Sequence, residues 1–149
     1  MNREILFKAK RIDNHNGEWV EGYYQKRFGL LEEEEHYIFR SKSSKVWEYA
    51  EIDKNTLCQY TGLIDKDGNK IWENDIIGYL DTYSTDNGYA EADCVGQVVW
   101  DNETLSFQVT ERLSAESYEV LDECAVIGNI FDNPEFLEGD AEKEGGTDV

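Results

Sequence analysis

The residues best suited to chemistry in this sequence are the carboxylates that follow Tyr60. The stretch YTGLIDKDGNKIWENDIIGYL, residues 60–80, carries a polar segment, DKDGNK, between two apolar runs, and acidic side chains recur after it. Three kinds of feature use such residues: a calcium-binding loop, a pair of carboxylates for general acid–base catalysis, and a simple turn. The spacing of the residues decides among them.

Calcium coordination does not fit this spacing. An EF-hand loop needs glycine at its sixth position and a bidentate glutamate at its twelfth. Counted from Asp65, the glycine is the fourth residue and the twelfth is Ile76. The pair Asp67-Gly68 instead supplies the backbone angles of a tight turn, so the sequence predicts an exposed hairpin turn that runs into a following strand.

Catalysis by paired carboxylates is also poorly supported. Glu73 and Asp75 alternate as strand residues do, which would place both carboxylates on one face. No histidine or lysine adjoins them to complete an acid–base set, so we expect both to be solvated. The sequence also lacks the motifs GxxxxGK(S/T), GxGxxG, GxSxG and HExxH, which mark phosphate-binding, nucleophilic and zinc sites.

Thiols and imidazoles give no stronger signal. Cys58, Cys94 and Cys124 are odd in number, widely spaced and free of any CxxC pair, which argues against a disulfide framework and a zinc site. We predict that they are small buried or half-buried hydrophobic residues. Core or turn positions are expected for His15 and His36, although a Cys–His pair that meets only in space stays open. The sequence therefore predicts no catalytic, cofactor-binding or metal-binding residue, and no enzymatic activity.

Charge is the most unusual global property of the chain. The 149 residues carry 14 Lys and Arg against 33 Asp and Glu, a formal net charge of −19. Residues 1–54 are nearly neutral, with ten basic and eleven acidic side chains, whereas residues 55–149 carry four basic side chains against 22 acidic ones. Such a surface repels a phosphate backbone and attracts a basic partner, although high charge also serves solubility alone.

Two functional classes follow from this asymmetry. The first is a non-catalytic protein that binds a basic protein through an acidic face, as a nucleic-acid mimic would. Its candidate contact residues lie in or beside predicted turns: Glu91, Asp93, Asp101, Glu103, Glu119 and Asp122. The alternative is a nucleic-acid-associated module that uses the basic cluster of the N-terminal part: Lys8, Lys10, Arg11, Lys26 and Arg27. Direct nucleic-acid binding is the less favoured of the two, and self-association stays open.

The elements that must position these residues are short. Aromatic and β-branched runs, separated by turn signals about every 8–12 residues, predict a mainly β fold, a small SH3-like or partly open β-barrel built from hairpins. No segment keeps the apolar period of an ordinary helix, and only NPEFLE, residues 133–138, predicts a short C-terminal helical turn. The tryptophans are expected to pack mainly in the core rather than to stack on bases. They are Trp19, Trp47, Trp72 and Trp100.

Composition also suggests a division of the chain. We expect an irregular, β-rich N-terminal part at residues 1–54, a β-barrel core at 55–138 and a disordered acidic tail at 139–149. No apolar run approaches the roughly 18 residues that span a membrane. The start, MNREILFKAKRID, lacks the apolar core of a signal peptide. We therefore expect a cytosolic protein with no membrane association.

Four blocks of the sequence resemble the YopX family of phage and prophage proteins. They are GEWVEGYY, QYTGLIDKDGNKIWENDII, GQVVWDNETLSFQV and VIGNIFDNPEFL, which together span roughly residues 17–138. The central block is the most specific, and it departs from the family pattern only at Asn74, where a glycine is usual; asparagine also tolerates the left-handed backbone. The resemblance implies a mostly β protein of tailed-phage or prophage origin, made in the cytoplasm of a bacterial host. Together with the acidic charge after residue 55, this makes a basic host or phage protein the expected partner. The resemblance implies no catalytic residue.

The absence of metal-ligand spacing gives a first testable prediction. Protein purified without added metal is expected to contain no stoichiometric zinc or iron, because the cysteines and histidines are not spaced as ligands. Elemental analysis of the purified protein measures this directly. A stoichiometric metal ion, or loss of the β-type circular dichroism spectrum on chelation, would contradict the prediction.

Overall fold

The computed structural model describes residues 4–13 and 17–137, and most of them lie in antiparallel β-strands. The strands are β1 (Phe7–Lys10), β2 (Trp19–Phe28), β3 (Glu34–Ser43), β4 (Val46–Glu51), β5 (Cys58–Ile64), β6 (Lys70–Trp72), β7 (Asp75–Thr85), β8 (Gly88–Asp101), β9 (Ser106–Val109) and β10 (Ala125–Asn129). Helical structure in the described residues comprises a 3-10 turn, Lys54–Thr56, the helix α1, Ser117–Asp122, and a turn at 135–137. The predicted mainly β class is confirmed.

The chain divides into two compact units, Met1–Gly62 and Leu63–Val149. The first unit carries an antiparallel sheet with the strand order β4-β3-β2-β1-β5. Alternation along these strands places small and branched apolar side chains on one face, where they form the core of the unit. The buried members of this core are Ala9, Val20, Ile38, Ala50 and Ile52.

The second unit carries an antiparallel sheet with the strand order β10-β7-β8-β9. Its longest element is the hairpin of β7 and β8, whose pairing runs from Ile76 opposite Gln97 to Thr85 opposite Gly88. One face of this sheet packs on α1 and forms the core. The buried side chains are Ile71, Ile77, Tyr79, Val98, Val109, Val120, Leu121 and Cys124.

The hairpin turn predicted at Asp67-Gly68 is confirmed. Both residues are exposed, Gly68 has φ +87°, and the Gly68 N–H donates to the Asp65 carbonyl oxygen over 3.1 Å. Asp65 itself is buried, because its carboxylate accepts N–H groups from Asp67, Asn69 and, across the unit, Val126. Burial alone would raise the pKa of Asp65, but these donors hold it below its ordinary value.

The segment after this hairpin differs from the sequence prediction. Glu73 and Asn74 form a turn between β6 and β7, and Asn74 has φ +71°, as its tolerance of left-handed backbone suggested. The expectation that Asp75 is solvated is wrong. Its side chain is buried, and its carboxylate accepts the Trp72 N–H over 2.8 Å. A strand pattern alone could not show that this carboxylate closes the turn before it.

A third buried carboxylate, Asp81 in β7, holds the loop before α1. It accepts the backbone N–H groups of Leu113 and Ala115 over 2.7 and 3.0 Å, together with the N–H and hydroxyl groups of Ser114. The N–H of Thr82 donates to the same carboxylate over 2.7 Å. Burial would raise the pKa of Asp81, yet these backbone donors lower it to about 2.

Several architectural details go beyond the predicted mainly β class. The described strands form two open antiparallel sheets, not a closed barrel. The helix α1 was not predicted, because six residues are too few to show a helical period. The polar segment 81–94 is paired strand except for the turn at 86–87. The C-terminal helical turn is confirmed at 135–137, whereas Glu138 and the predicted disordered tail at 139–149 lie outside the described residues.

Replacement of Asp81 by asparagine should destabilise the protein by about 2 kcal/mol, since an amide cannot accept so many N–H groups. The direction in which this stabilisation changes with pH follows from the lowered pKa of Asp81. The carboxylate contributes fully above the ordinary value of 3.8 and loses its contribution as the pH falls towards about 2. Urea unfolding should therefore show the largest difference between wild type and Asp81→Asn near neutral pH.

The matched control is Asp86→Asn, at the exposed tip of the β7–β8 hairpin. It should change the free energy of unfolding by no more than about 0.5 kcal/mol. Equal effects of the two substitutions would contradict the structural role of Asp81.

Candidate functional site

An open cleft of about 660 Å³ lies in the second unit, between the edge of β7 and α1. One edge of β7 pairs with β8 as far as Thr85. The other edge is covered by two elements that do not meet: β10 pairs with it only from Asp75 to Gly78, and the loop at 113–115 covers it at Thr82. The helix α1 connects the loop to β10 and forms the facing wall.

Hydrogen bonds fix the loop side of this cleft. The Ser114 hydroxyl oxygen lies 2.8 Å from both the Thr82 carbonyl oxygen and the Thr82 hydroxyl oxygen. Asp81 accepts N–H groups from three successive loop residues, as described above. The wall at this end is therefore held by side-chain contacts to β7, and its position does not depend on a bound ligand.

The exposed charge of the cleft is predominantly negative. Asp93, Glu119 and Glu123 are exposed carboxylates at its surface, and Lys66 is the cationic side chain among its lining residues. Apolar side chains lie between these charges. They include Leu80 on β7, Val120 on α1 and Ile127 on β10. This combination suits a long cationic side chain, which needs apolar surface for its aliphatic stem and a carboxylate for its head.

The structure brings two of the six predicted contact residues together. Asp93 and Glu119 lie on different elements, β8 and α1, and both line the cleft. Glu91 is exposed two residues before Asp93 on the same strand. These two β8 residues were expected in or beside a turn, but they lie inside a paired strand, opposite Thr82 and Leu80.

The other three predicted contact residues do not line the cleft. Asp101 and Glu103 lie at the β8–β9 turn, where the Glu103 N–H donates to the Asp101 carboxylate over 2.8 Å. Asp122 is exposed at the last residue of α1. Sequence reasoning missed Glu123, which lines the cleft one residue later. Only recognition of α1 as a helix would have separated these neighbours.

The predicted basic cluster is dispersed. Lys8 and Lys10 lie over the ring of Trp19, at 4.6 and 5.5 Å from its centroid. Arg11 is bound to the carboxylate of Asp13 at 2.8 Å. Lys26 forms an ion pair with Glu34 at 3.0 Å, and Arg27 lies over Tyr37 and Tyr49. Since several of these cations already face rings or carboxylates of the first unit, they do not form one basic groove.

The tryptophans are not mainly core residues. Trp72 is buried, but Trp47 and Trp100 are 51% and 41% exposed. In the first unit, Trp47 belongs to a row of packed rings on the sheet face opposite the core, with Phe39 at 5.7 Å between ring centroids. Tyr23 and Tyr49 flank the same Phe39. Alternation along a strand predicts such a second face but not whether anything covers it.

The thiols follow the sequence prediction. Cys58 and Cys124 are buried, and Cys94 is half-buried and lines the cleft. Burial raises the pKa of the Cys124 thiol to about 11. His36 lies in β3, where Nδ1 is 2.6 Å from the Tyr24 hydroxyl oxygen; His15 lies outside the described residues.

Residues 4–13 and 17–137 contain neither a group of metal-ligating side chains nor a membrane-spanning helix. No three carboxylate, imidazole or thiol side chains in these ranges are grouped as metal ligands. No helix there is long and apolar enough to cross a bilayer. The prediction that the protein is not a metalloenzyme stays a prediction.

Comparison with known proteins identifies the chain's relatives. The family model described as YopX protein matches residues 8–138. Among solved structures, the crystal structure of protein EF1440 from Enterococcus faecalis is similar, with a TM-score of 0.52 and 25% sequence identity over 91% of this chain and 99% of that one. No curated protein matches the chain. The predicted family resemblance is confirmed, and it brings no ligand or activity with it.

Accessibility of the cleft can be tested through its thiol. In the native protein, a small alkylating reagent should modify Cys94 well before Cys58 and Cys124, because both of these are buried and the Cys124 thiol has a raised pKa. Peptide mapping by mass spectrometry after limited alkylation identifies the site. The variant Cys94→Ser is the control, and it should lose the early modification. Simultaneous modification of all three thiols without unfolding would contradict the described burial.

Proposed function

The chain belongs to the YopX family, and we propose that it is a phage or prophage accessory protein that acts without catalysis. In this proposal it binds a basic protein of the host or the phage through the acidic surface of its second unit. The cleft lined by Asp93, Glu119 and Glu123 is the centre of that surface. The family resemblance also supports a site of action in the bacterial cytoplasm.

The observation that carries this proposal is the combination of charge and shape at the cleft. Carboxylates from β8 and from the helix α1 with its following residue converge around the exposed side chains of Leu80 and Ile127, so the site offers more than diffuse attraction. Electrostatic complementarity of this kind accelerates encounter with an oppositely charged partner and selects against wrong ones. Apolar contacts at the same place provide the close packing on which a lasting complex depends.

The nucleic-acid alternative receives less support. This alternative needs a continuous basic surface formed by Lys8, Lys10, Arg11, Lys26 and Arg27. Instead, these cations face separate carboxylates and aromatic rings of the first unit. The exposed rings of the first unit resemble a stacking platform in composition, but glutamates share their face. Glu51 lies opposite Tyr37 in the sheet, and Glu35 lies opposite Arg27. A platform for a phosphate backbone would instead combine rings with unpaired cations.

Charge reversal at the cleft tests the proposal. The double variant Asp93→Lys with Glu119→Lys should capture a basic partner from a bacterial lysate at least about tenfold less efficiently than wild type, because attraction becomes repulsion. Its stability should change by about 0.5 kcal/mol or less per site, since both side chains are exposed. Wild-type capture should also weaken as salt rises.

The matched control is Asp67→Lys with Asp86→Lys, which makes the same change in net charge at two exposed hairpin-turn residues that do not line the cleft. This control should retain most of the binding. Equal capture by wild type and the cleft variant, or capture that is insensitive to salt, would show that the acidity serves solubility only.

A further inference from the structure

The edge of β7 has a gap between β10 and the loop at 113–115. Gly78 is the last β7 residue that pairs with β10, opposite Ala125, and Thr82 is the residue that Ser114 covers. Gly78 and Thr82 are four residue steps apart along an extended strand, a distance of about 13 Å. Leu80 lies in the middle of this interval and lines the cleft.

The backbone groups of Leu80 point into this gap. Alternate residues of a strand direct their N–H and C=O groups to the same side, so Leu80 shares the direction of Gly78 and Thr82. Both backbone groups of Thr82 are bonded on that side, the N–H to Asp81 and the C=O to Ser114. Within the described residues, no hydrogen bond fills the corresponding position at Leu80. Its side chain is 61% exposed.

The surroundings of the gap specify the charge of an occupant. Asp93 is the cross-strand neighbour of Leu80, and Glu119 and Glu123 lie on the opposite side, on and after α1. A segment laid along β7 would therefore meet carboxylates on both of its faces. Lys66 is the cation that also lines the cleft, so the balance of the lining favours a cationic occupant.

We propose that an extended, basic segment of the protein partner enters this gap and pairs its backbone N–H and C=O with those of Leu80. Its alternating side chains place lysine or arginine heads at Asp93 on one face and at Glu119 or Glu123 on the other. This is strand addition over a single residue pair, with charge fixing the identity of the occupant. The inference rests on the proposed function and names the form of the partner that the cleft accepts.

The width of the gap argues against a second copy of the chain as occupant. Edge-to-edge pairing of two sheets needs a row of unpaired backbone groups on each chain. Here β10 covers the edge up to Gly78 and the loop covers it at Thr82, so only a narrow segment can enter. A second copy would also bring its own acidic surface against Asp93 and Glu119, which repels it.

A pair of synthetic peptides tests the pairing. The probe is a short peptide of alternating lysine and valine, and its control is the same peptide with N-methyl groups on alternate backbone nitrogens, which keeps the charge but removes donors. Calorimetry at low salt should show binding of the probe and at least about tenfold weaker binding of the methylated peptide. The variant Asp93→Asn with Glu119→Gln should weaken both.

Amide hydrogen exchange supplies the readout at the proposed atom. The Leu80 N–H should exchange more slowly in the complex than in the free protein, whereas the amides of Tyr79 and Asp81, which point towards β8, should change little. Failure of the probe to bind, equal binding of the two peptides, or unchanged exchange at Leu80 would each overturn the strand-pairing proposal. A remaining dependence on Asp93 and Glu119 would still support the acidic surface, so the two proposals fail separately.

Discussion

The second unit depends on buried carboxylates that accept backbone N–H groups. Asp65 organises its own hairpin turn and binds Val126 of β10, while Asp81 holds the loop at 113–115. Removal of either acceptor would leave several donors unsatisfied, which costs more than a typical hydrogen bond contributes. Because these two residues fix the β10 side and the loop side of the same cleft, the geometry of the candidate site depends on them even where they do not face a ligand.

The acidic charge of the chain therefore has two separate roles. Asp65, Asp75 and Asp81 are buried, and their charge is satisfied by N–H groups of the fold. Carboxylates such as Asp93 and Glu119 are exposed and are available to a partner. The formal charge of −19 counts both groups of carboxylates, although substitutions in the two groups have different consequences. Loss of a buried carboxylate should reduce stability, whereas loss of an exposed one should reduce association.

Local chemistry was predictable from the sequence where it depends on one or two residues. The turn at Asp67-Gly68 and the left-handed backbone at Asn74 follow from intrinsic conformational preference. The burial of Asp81 could not be predicted, because its N–H donors come from a loop more than 30 residues away. Likewise, a strand pattern predicts on which face of the sheet Trp47 lies, but not whether other residues cover that face. Asp93 and Glu119 both line the cleft because β8 pairs with β7 and α1 packs on the same sheet. The local sequence around each residue does not show these long-range contacts.

The edge of β7 that lies between β10 and the loop at 113–115 is short. A long unpaired edge invites aggregation through pairing with other chains. Between Gly78 and Thr82 of β7, the pairing with β10 and the loop held by Asp81 leave one residue, Leu80, whose edge-facing backbone groups have no partner among the described residues. One residue pair is too little for sheet growth, yet it can orient a segment that charge has already attracted. Encounter and orientation then depend on different groups: the carboxylates set the rate of approach, and the strand edge sets the direction of the bound chain.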